Sequence, residues 1–136
     1  MTALSADRNT PRREGEKRVI PLAASTLIYA GALCAIDAAG NLVPFSTATT
    51  LKPAGRAERR VDNSAGAAGA VSGEVSPGIF RFANSTAGDA ITRADIGSDC
   101  YGVDDQTVAK TSGTNTRSVA GKVFDVDDVG VWVKIS

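Results

Sequence analysis

The chain has 136 residues, with 15 basic side chains, 15 acidic side chains and no histidine, so its formal net charge is zero. The lack of histidine excludes histidine-based catalytic triads and histidine metal ligands. Hydrophobic residues make up 43% of the chain, which at this length is enough for the core of one domain. Because aromatic residues make up only 5%, we expect that core to be packed from small side chains. The first residues lack the charged-then-apolar order of a signal peptide, so we expect no secretory leader.

The first 18 residues are polar, charged and aperiodic, and Pro11 and Gly15 interrupt any helix. We predict that residues 1–18 form an extended N-terminal arm that is either disordered, the default for such a segment in isolation, or ordered only against a partner. The basic residues that this arm would offer to a partner are Arg8, Arg12, Arg13, Lys17 and Arg18.

Charge is spread unevenly along the chain. Nine basic and five acidic residues precede Val61, a net +4, whereas five basic and eight acidic residues follow from Asn84 onward, a net −3. A basic front and an acidic back suit docking between subunits, although ordinary surface charge explains them equally well.

Residues 19–136 are predicted to form a single β domain. The run 27–36 is interpreted as one strand kinked at Gly31, followed by a turn at 37–41 and a partner strand at 42–45 in which Pro44 marks a sheet edge or a strand end. A strand with one solvated face or an edge position is predicted at 52–61, and another at 70–75. A tight turn at Pro77-Gly78 leads into the next strand, at 79–82.

The segment 90–97 has two interpretations, a strand ending in a turn or a single helical turn after Asp89. Short strands are predicted at 100–103 and 108–110. The run 111–116 is predicted to be a flexible polar loop.

The last stretch, 119–135, has the pattern of a β-hairpin. Val131, Val133 and Ile135 alternate with Trp132 and Lys134, as in a strand with one buried face. In the preceding strand Val123, Asp125 and Asp127 are predicted to share one face, and Phe124 and Val126 the other. Between the strands, Gly130 is predicted to take the positive φ of a short loop that ends in a bulge.

Short strands separated by turn signals predict an all-β fold, a small β-sandwich or barrel of short antiparallel strands. The predicted core anchors are Trp132, Phe80 and Phe124. Cys34 and Cys100 lie in apolar, strand-like surroundings, so we interpret both as buried free thiols, while a disulfide stays open.

Motif chemistry yields no catalytic, cofactor or metal residue. The acidic run 125–130 resembles part of a calcium loop, but Val129 occupies a ligand position and the later Glu is lacking, so its acids, like Asp104 and Asp105, are interpreted as turn residues with calcium as a weak alternative. A carboxylate pair acting on glycosides and a surface for single-stranded nucleic acid are disfavoured because aromatic side chains are few. No cofactor is expected.

Seven further segments are informative together, in their order and spacing: 3–13, 28–33, 54–58, 61–64, 78–85, 99–109 and 120–133. In these segments the chain resembles the small capsid decoration, or cement, proteins of tailed bacteriophages and Mu-like prophages. The segments cover essentially the whole chain, including the arm, and contain no catalytic motif.

The resemblance implies a non-enzymatic minor capsid protein of the virion. It would sit on the outer surface of the head, bridge major capsid subunits and stabilise the expanded shell, after synthesis in the host cytoplasm. The implied partners are the major capsid protein and further copies of this chain, as a homotrimer or alternatively a dimer, with no direct nucleic-acid or membrane contact. A phage tail or baseplate β module, structural or receptor-binding, is the alternative, and a hydrolase using Asp104, Asp105, Asp125 or Asp127 is a third hypothesis.

Overall fold

The computed structural model describes residues 2–11 and 16–136. In this part of the chain the fold is all-β, as predicted, with short strands and two single turns of 3₁₀ helix, at Ala87–Asp89 and Arg93–Asp95. The strands are β1 (Arg18–Pro21), β2 (Thr26–Ile28), β3 (Leu33–Ile36), β4 (Leu42–Pro44), β5 (Lys52–Ala57), β6 (Val61–Asn63), β7 (Ser72–Ser76), β8 (Gly78–Asn84), β9 (Asp99–Gly102), β10 (Thr107–Ala109), β11 (Val119–Val126) and β12 (Val131–Ile135). No helix in the described ranges is long and apolar enough to cross a membrane.

The strands form an open sheet and a closed barrel. The open sheet has the order β1-β7-β5-β3-β4, the barrel closes in the order β10-β8-β12-β11-β9, and β2 pairs separately with β6. The pairs are antiparallel except for β8 with β10, which run parallel. Pro44 ends β4 at an edge of the open sheet, as the missing amide hydrogen of proline requires.

Two hydrophobic clusters lie on opposite faces of the open sheet. Leu33 and Ala35 of β3 join Phe45 and the barrel interior, whereas Cys34, between them, belongs to the cluster on the other face. Alternation along one strand therefore places the same element in both cores. The open sheet is the layer that joins them.

Three predicted features of the strands differ in the structure. The run 27–36 is split into β2 and β3, with Gly31 at φ +83° between them. Of the two alternatives for the strand at 52–61, the edge position is excluded, because β5 lies between β3 and β7 in the interior of its sheet. The tight turn predicted at Pro77-Gly78 is absent: β7 ends at Ser76 and β8 begins at Gly78, and the chain crosses here from the open sheet to the barrel. The helical-turn interpretation of 90–97 is confirmed by the 3₁₀ turn at Arg93–Asp95, which Asp95 caps by accepting from the Thr92 backbone amide.

The C-terminal hairpin is confirmed, but the backbone at Gly130 and the position of the bulge differ from the prediction. Gly130 does not have a positive φ; it is needed because a Cβ there would clash with the backbone oxygen of Phe82. The register between β11 and β12 shifts between Val123 and Asp125, so the bulge lies at Phe124 within the strand. The bulge breaks the alternation: Val123 is buried, Phe124 and Asp125 are exposed, and Val126 packs against the core.

The predicted core anchors are corrected in two of three cases. Phe80 is half-buried and packs against the barrel core, as expected. Phe124 is 55% exposed because of the bulge, and Trp132 is only half-buried because Val131, Val133 and Ile135 take the inward positions of β12. The aromatic rings in the core are those of Phe45 and Phe82.

Both cysteines are buried and free, as predicted. Burial raises the pKa of the Cys34 thiol and that of the Cys100 thiol to about 12. Cys34 lies in the core of the open sheet and Cys100 in that of the barrel.

Candidate functional site

The arm begins as an exposed segment without strand or helix. Each residue in the range 2–11 is exposed, including the apolar Leu4 at 74%. Among the described residues, the hydrogen bonds of Arg8 are local: its backbone oxygen accepts from the Thr10 amide at 3.1 Å and its guanidinium lies 3.4 Å from the Thr10 hydroxyl. This segment therefore keeps its side chains available to a partner.

The base of the arm is attached to the body. Lys17 Nζ lies 3.8 Å from a Glu58 carboxylate oxygen and 3.7 Å from one of Glu74. Arg18 opens β1, and its guanidinium donates to the backbone oxygen of Ala54 at 3.2 Å. The structure thus separates the five predicted arm cations: Arg8 stands on the exposed segment, Lys17 and Arg18 bind the open sheet, and Arg12 and Arg13 lie outside the described residues.

Glu58 and Glu74 are the centre of a small ion-pair network on the open sheet. Besides Lys17, Arg56 reaches Glu58 at 3.1 Å and Arg59 reaches Glu74 at 3.8 Å. The cationic side chains are 42–73% exposed, so each pair contributes about 0–1 kcal/mol. The network positions the base of the arm rather than providing much stability.

The acidic hairpin loop is organised by Asp127. Its Oδ1 accepts from the backbone amides of Val129 and Gly130, at 2.8 and 2.9 Å, and its Oδ2 accepts from Trp132 Nε1 at 2.9 Å. These bonds, the one from Trp132 first, hold the pKa of Asp127 below its usual value, and nearby Arg81 lowers it further. Both carboxylate oxygens are occupied, which accounts for Asp127 as a turn residue.

A second carboxylate, Asp89, ties the loop 111–117 to the barrel. Its Oδ1 accepts from the Thr111 hydroxyl at 2.6 Å, and Arg117 donates to its Oδ2 at 2.8 Å. The pKa of Asp89 lies below its usual value because of the Thr111 hydroxyl first and the Arg117 guanidinium next. The loop that the sequence predicts to be flexible is thus bonded at both ends to one side chain.

Of the remaining candidate acids, Asp104 caps a turn as predicted, whereas Asp125 lies within strand β11 and is not a turn residue. Asp104 Oδ1 accepts from the Gln106 amide at 2.9 Å, and Asp125 Oδ1 from the amide of Val126 at 2.8 Å. Across residues 2–11 and 16–136, no three side chains among histidine, cysteine, aspartate and glutamate are grouped so as to hold a metal ion.

Sequence reasoning missed a set of arginine–aromatic contacts. The guanidinium carbon lies 4.6 Å from the ring centroid of Phe80 for Arg56, 5.9 Å from that of Tyr29 for Arg60, and 5.6 Å from that of Trp132 for Arg81. Alternation along β8 and β12 assigns Arg81 and Trp132 to outer faces. Only the register Arg81↔Trp132 between the two strands brings them together.

Comparison of the chain with protein-family models, with curated proteins and with solved structures finds no match.

Proposed function

We propose that the chain is a capsid decoration protein. It binds the outer surface of a phage head, bridges neighbouring major capsid subunits and stabilises the expanded shell. The observation that carries the proposal is the resemblance along the whole chain, arm included. It is supported by an exposed segment, residues 2–11, that precedes a β body to which Lys17 and Arg18 attach its base.

The stabilising mechanism is mass action. A protein that binds only the assembled shell lowers its free energy by about 2.7 kcal/mol per site when its free concentration is a hundred times Kd. A modest affinity repeated over many sites is enough to oppose the pressure of packaged DNA. No reaction is needed, and the turn-capping roles of Asp104 and Asp127 fit a non-enzymatic protein.

The test is binding to expanded shells that lack the protein. Deletion of residues 1–16 is expected to abolish binding while the body stays folded, because Lys17 and Arg18, which contact the body, are retained. A variant with Arg8, Arg12 and Arg13 all changed to Gln keeps the length of the arm and isolates the contribution of its charge. Shell occupancy is measured by co-sedimentation, with Lys17→Gln as the control at the base of the arm.

If the deletion variant occupies the shell fully, the proposed role of the arm in binding is wrong. The alternative, a tail or baseplate module, predicts that the protein purifies with tails; mass spectrometry of separated heads and tails decides between the two. Recovery in tails alone would contradict the decoration function.

A further inference from the structure

A groove runs along the outside of the barrel where it meets the open sheet. It has a volume of about 400 Å³ and is lined in part by Gly31, Arg56, Ile79, Phe80, Arg81 and Trp132. We call it the arginine–aromatic groove. Gly31 also lines a second concavity, of about 350 Å³, which Tyr29 and Asp105 help to line.

The two arginines of the groove lie over aromatic rings, with the guanidinium carbon 4.6 Å from the ring centroid for Arg56 and 5.6 Å for Arg81. Arg56 stacks on Phe80, and Arg81 stacks on Trp132. Stacking orients a guanidinium without using its N–H donors, of which each arginine has five. Arg56 uses one nitrogen on Glu58, whereas no carboxylate of the described residues lies within ion-pairing distance of Arg81. The groove therefore presents oriented cationic donors that the protein itself leaves largely unused.

Apolar surface lies beside these donors. Ile79 is 39% exposed, and Trp132 is half-buried with its indole fixed by the bond from Nε1 to Asp127. Gly31 has no side chain to cover the end of the groove, and a Cβ placed there would meet nothing within 4 Å. Tryptophan and arginine side by side, with an adjoining aliphatic side chain, are the composition of protein-interface hot spots.

We propose that the arginine–aromatic groove is a docking surface for a protein partner that inserts an extended segment with a carboxylate next to an apolar side chain. The carboxylate binds the guanidinium of Arg81, with Arg56 as a second donor, because the planar fork of arginine matches a carboxylate in a bidentate manner. The apolar side chain packs on Ile79 and the indole of Trp132. This surface is separate from the arm and does not depend on the decoration function.

Charge around the groove favours a protein over single-stranded nucleic acid. The hairpin loop that borders it through Trp132 carries Asp127 and Asp128, and Asp125 lies at the end of β11 just before this loop; all three are exposed. A phosphate chain has a negative charge on every nucleotide, so the part beyond Arg81 would meet these acids. A peptide can offer one carboxylate to Arg81 and neutral residues to the loop.

Trp132 is the single tryptophan of the chain, so its fluorescence reports directly on the groove. The probes are two capped peptides, acetyl-Gly-Leu-Glu-Leu-Gly-amide and its lysine counterpart, and an oligothymidylate. We expect a saturable change in emission with the glutamate peptide alone. Its Kd is expected to rise at least fivefold in Arg81→Gln and to stay unchanged in Arg93→Gln, whose exposed arginine lies on the second 3₁₀ turn, away from the groove.

The Arg56→Gln variant provides an independent test, since Arg56 reaches the groove from the open sheet. Arg56→Gln is expected to raise the Kd of the glutamate peptide, but by less than Arg81→Gln does, because Arg56 is already paired with Glu58. Circular dichroism confirms that each variant is folded. The proposal is overturned if the glutamate peptide does not bind, if the lysine peptide binds equally well, or if the oligothymidylate binds more tightly. It is also overturned if the emission changes with protein concentration alone, because a second copy of the chain would then fill the groove.

Discussion

At the scale of single residues, Asp127 and Trp132 connect the acidic loop with the aromatic surface. Asp127 uses three hydrogen bonds to close the hairpin loop and to fix the indole. The bonds favour the ionised carboxylate, so the folded state binds its proton only at a pH below the ordinary value of 3.8. The stabilisation that these bonds provide is present above the unfolded pKa and is lost as the pH falls through the lowered, folded-state value.

This arrangement predicts an acid transition in the fluorescence of Trp132. Protonation of Asp127 releases the indole N–H, and we expect the change in emission to have its midpoint below pH 3.8. Asp127→Asn is expected to remove the transition, whereas Asp128→Asn is expected to keep it, since that side chain makes no hydrogen bond with the described residues. An identical transition in both variants would assign it to another group.

The three aromatic residues of the barrel wall and core are expected to differ in their contributions to stability. Phe82 is 6% exposed, so Phe82→Ala should lower the free energy of unfolding by about 3–5 kcal/mol. Trp132→Ala should cost about 1 kcal/mol, the order of one hydrogen bond, and the bulge residue change Phe124→Ala should stay within about 0.5 kcal/mol. Urea unfolding followed by circular dichroism measures all three. A cost for Trp132→Ala as large as that for Phe82→Ala would contradict the outward position of the indole.

At the scale of elements, close packing between segments depends on glycines without a side chain. Gly102, at the end of β9, lies under the ring of Phe45, and a Cβ there would overlap the ring. This contact packs Phe45, the residue after β4, against the barrel. The hydrogen bond from the Leu33 amide to the backbone oxygen of Asp105, at 2.8 Å, joins the same two parts of the fold.

We therefore expect Gly102→Ala to destabilise the protein by about 1–3 kcal/mol through overpacking. The matched control is Gly88→Ala, because Gly88 does not have a positive φ and a Cβ there meets nothing within 4 Å. Its effect should lie within about 0.5 kcal/mol. Thermal unfolding of the two variants checks the difference, and equal melting temperatures would show that Phe45 moves aside without cost.

At the scale of the whole molecule, the two cores share the open sheet, since consecutive residues of β3 belong to different clusters. Unfolding of one core removes one face of that sheet and exposes apolar side chains on it. We therefore expect the barrel and the open sheet to unfold in one cooperative transition.

The two thiols test this cooperativity, because Cys34 reports on one core and Cys100 on the other. With a pKa of about 12 and full burial, neither should react with a thiol reagent in the native state. In the variants Cys34→Ala and Cys100→Ala the remaining thiol should become reactive at the same urea concentration. Reaction of Cys34 at a clearly lower concentration would mean that the open sheet unfolds first.

Local features of the fold were predictable from the sequence. The alternation of Val131, Val133 and Ile135 indicates the last strand, Pro44 indicates an edge or a strand end, and one aspartate, one glycine and one asparagine indicate the turn at 37–41. Each depends on the backbone geometry of a few adjacent residues. The candidate site was less predictable: of the proposed arm cations, Lys17 and Arg18 bind Glu58, Glu74 and the Ala54 carbonyl, partners more than 30 residues away.

The β class, the hairpin and the buried thiols thus follow from composition and local pattern, because period-two alternation and turn chemistry act over neighbouring residues. Tertiary structure decided which faces are buried and which side chains meet. The bulge at Phe124 turned a predicted anchor outward, and the pairing of β8 with β12 placed Arg81 on Trp132. Strand pairing depends on contacts between distant segments, and a shift of one residue moves every side chain to the opposite face, so local pattern alone does not determine the groove.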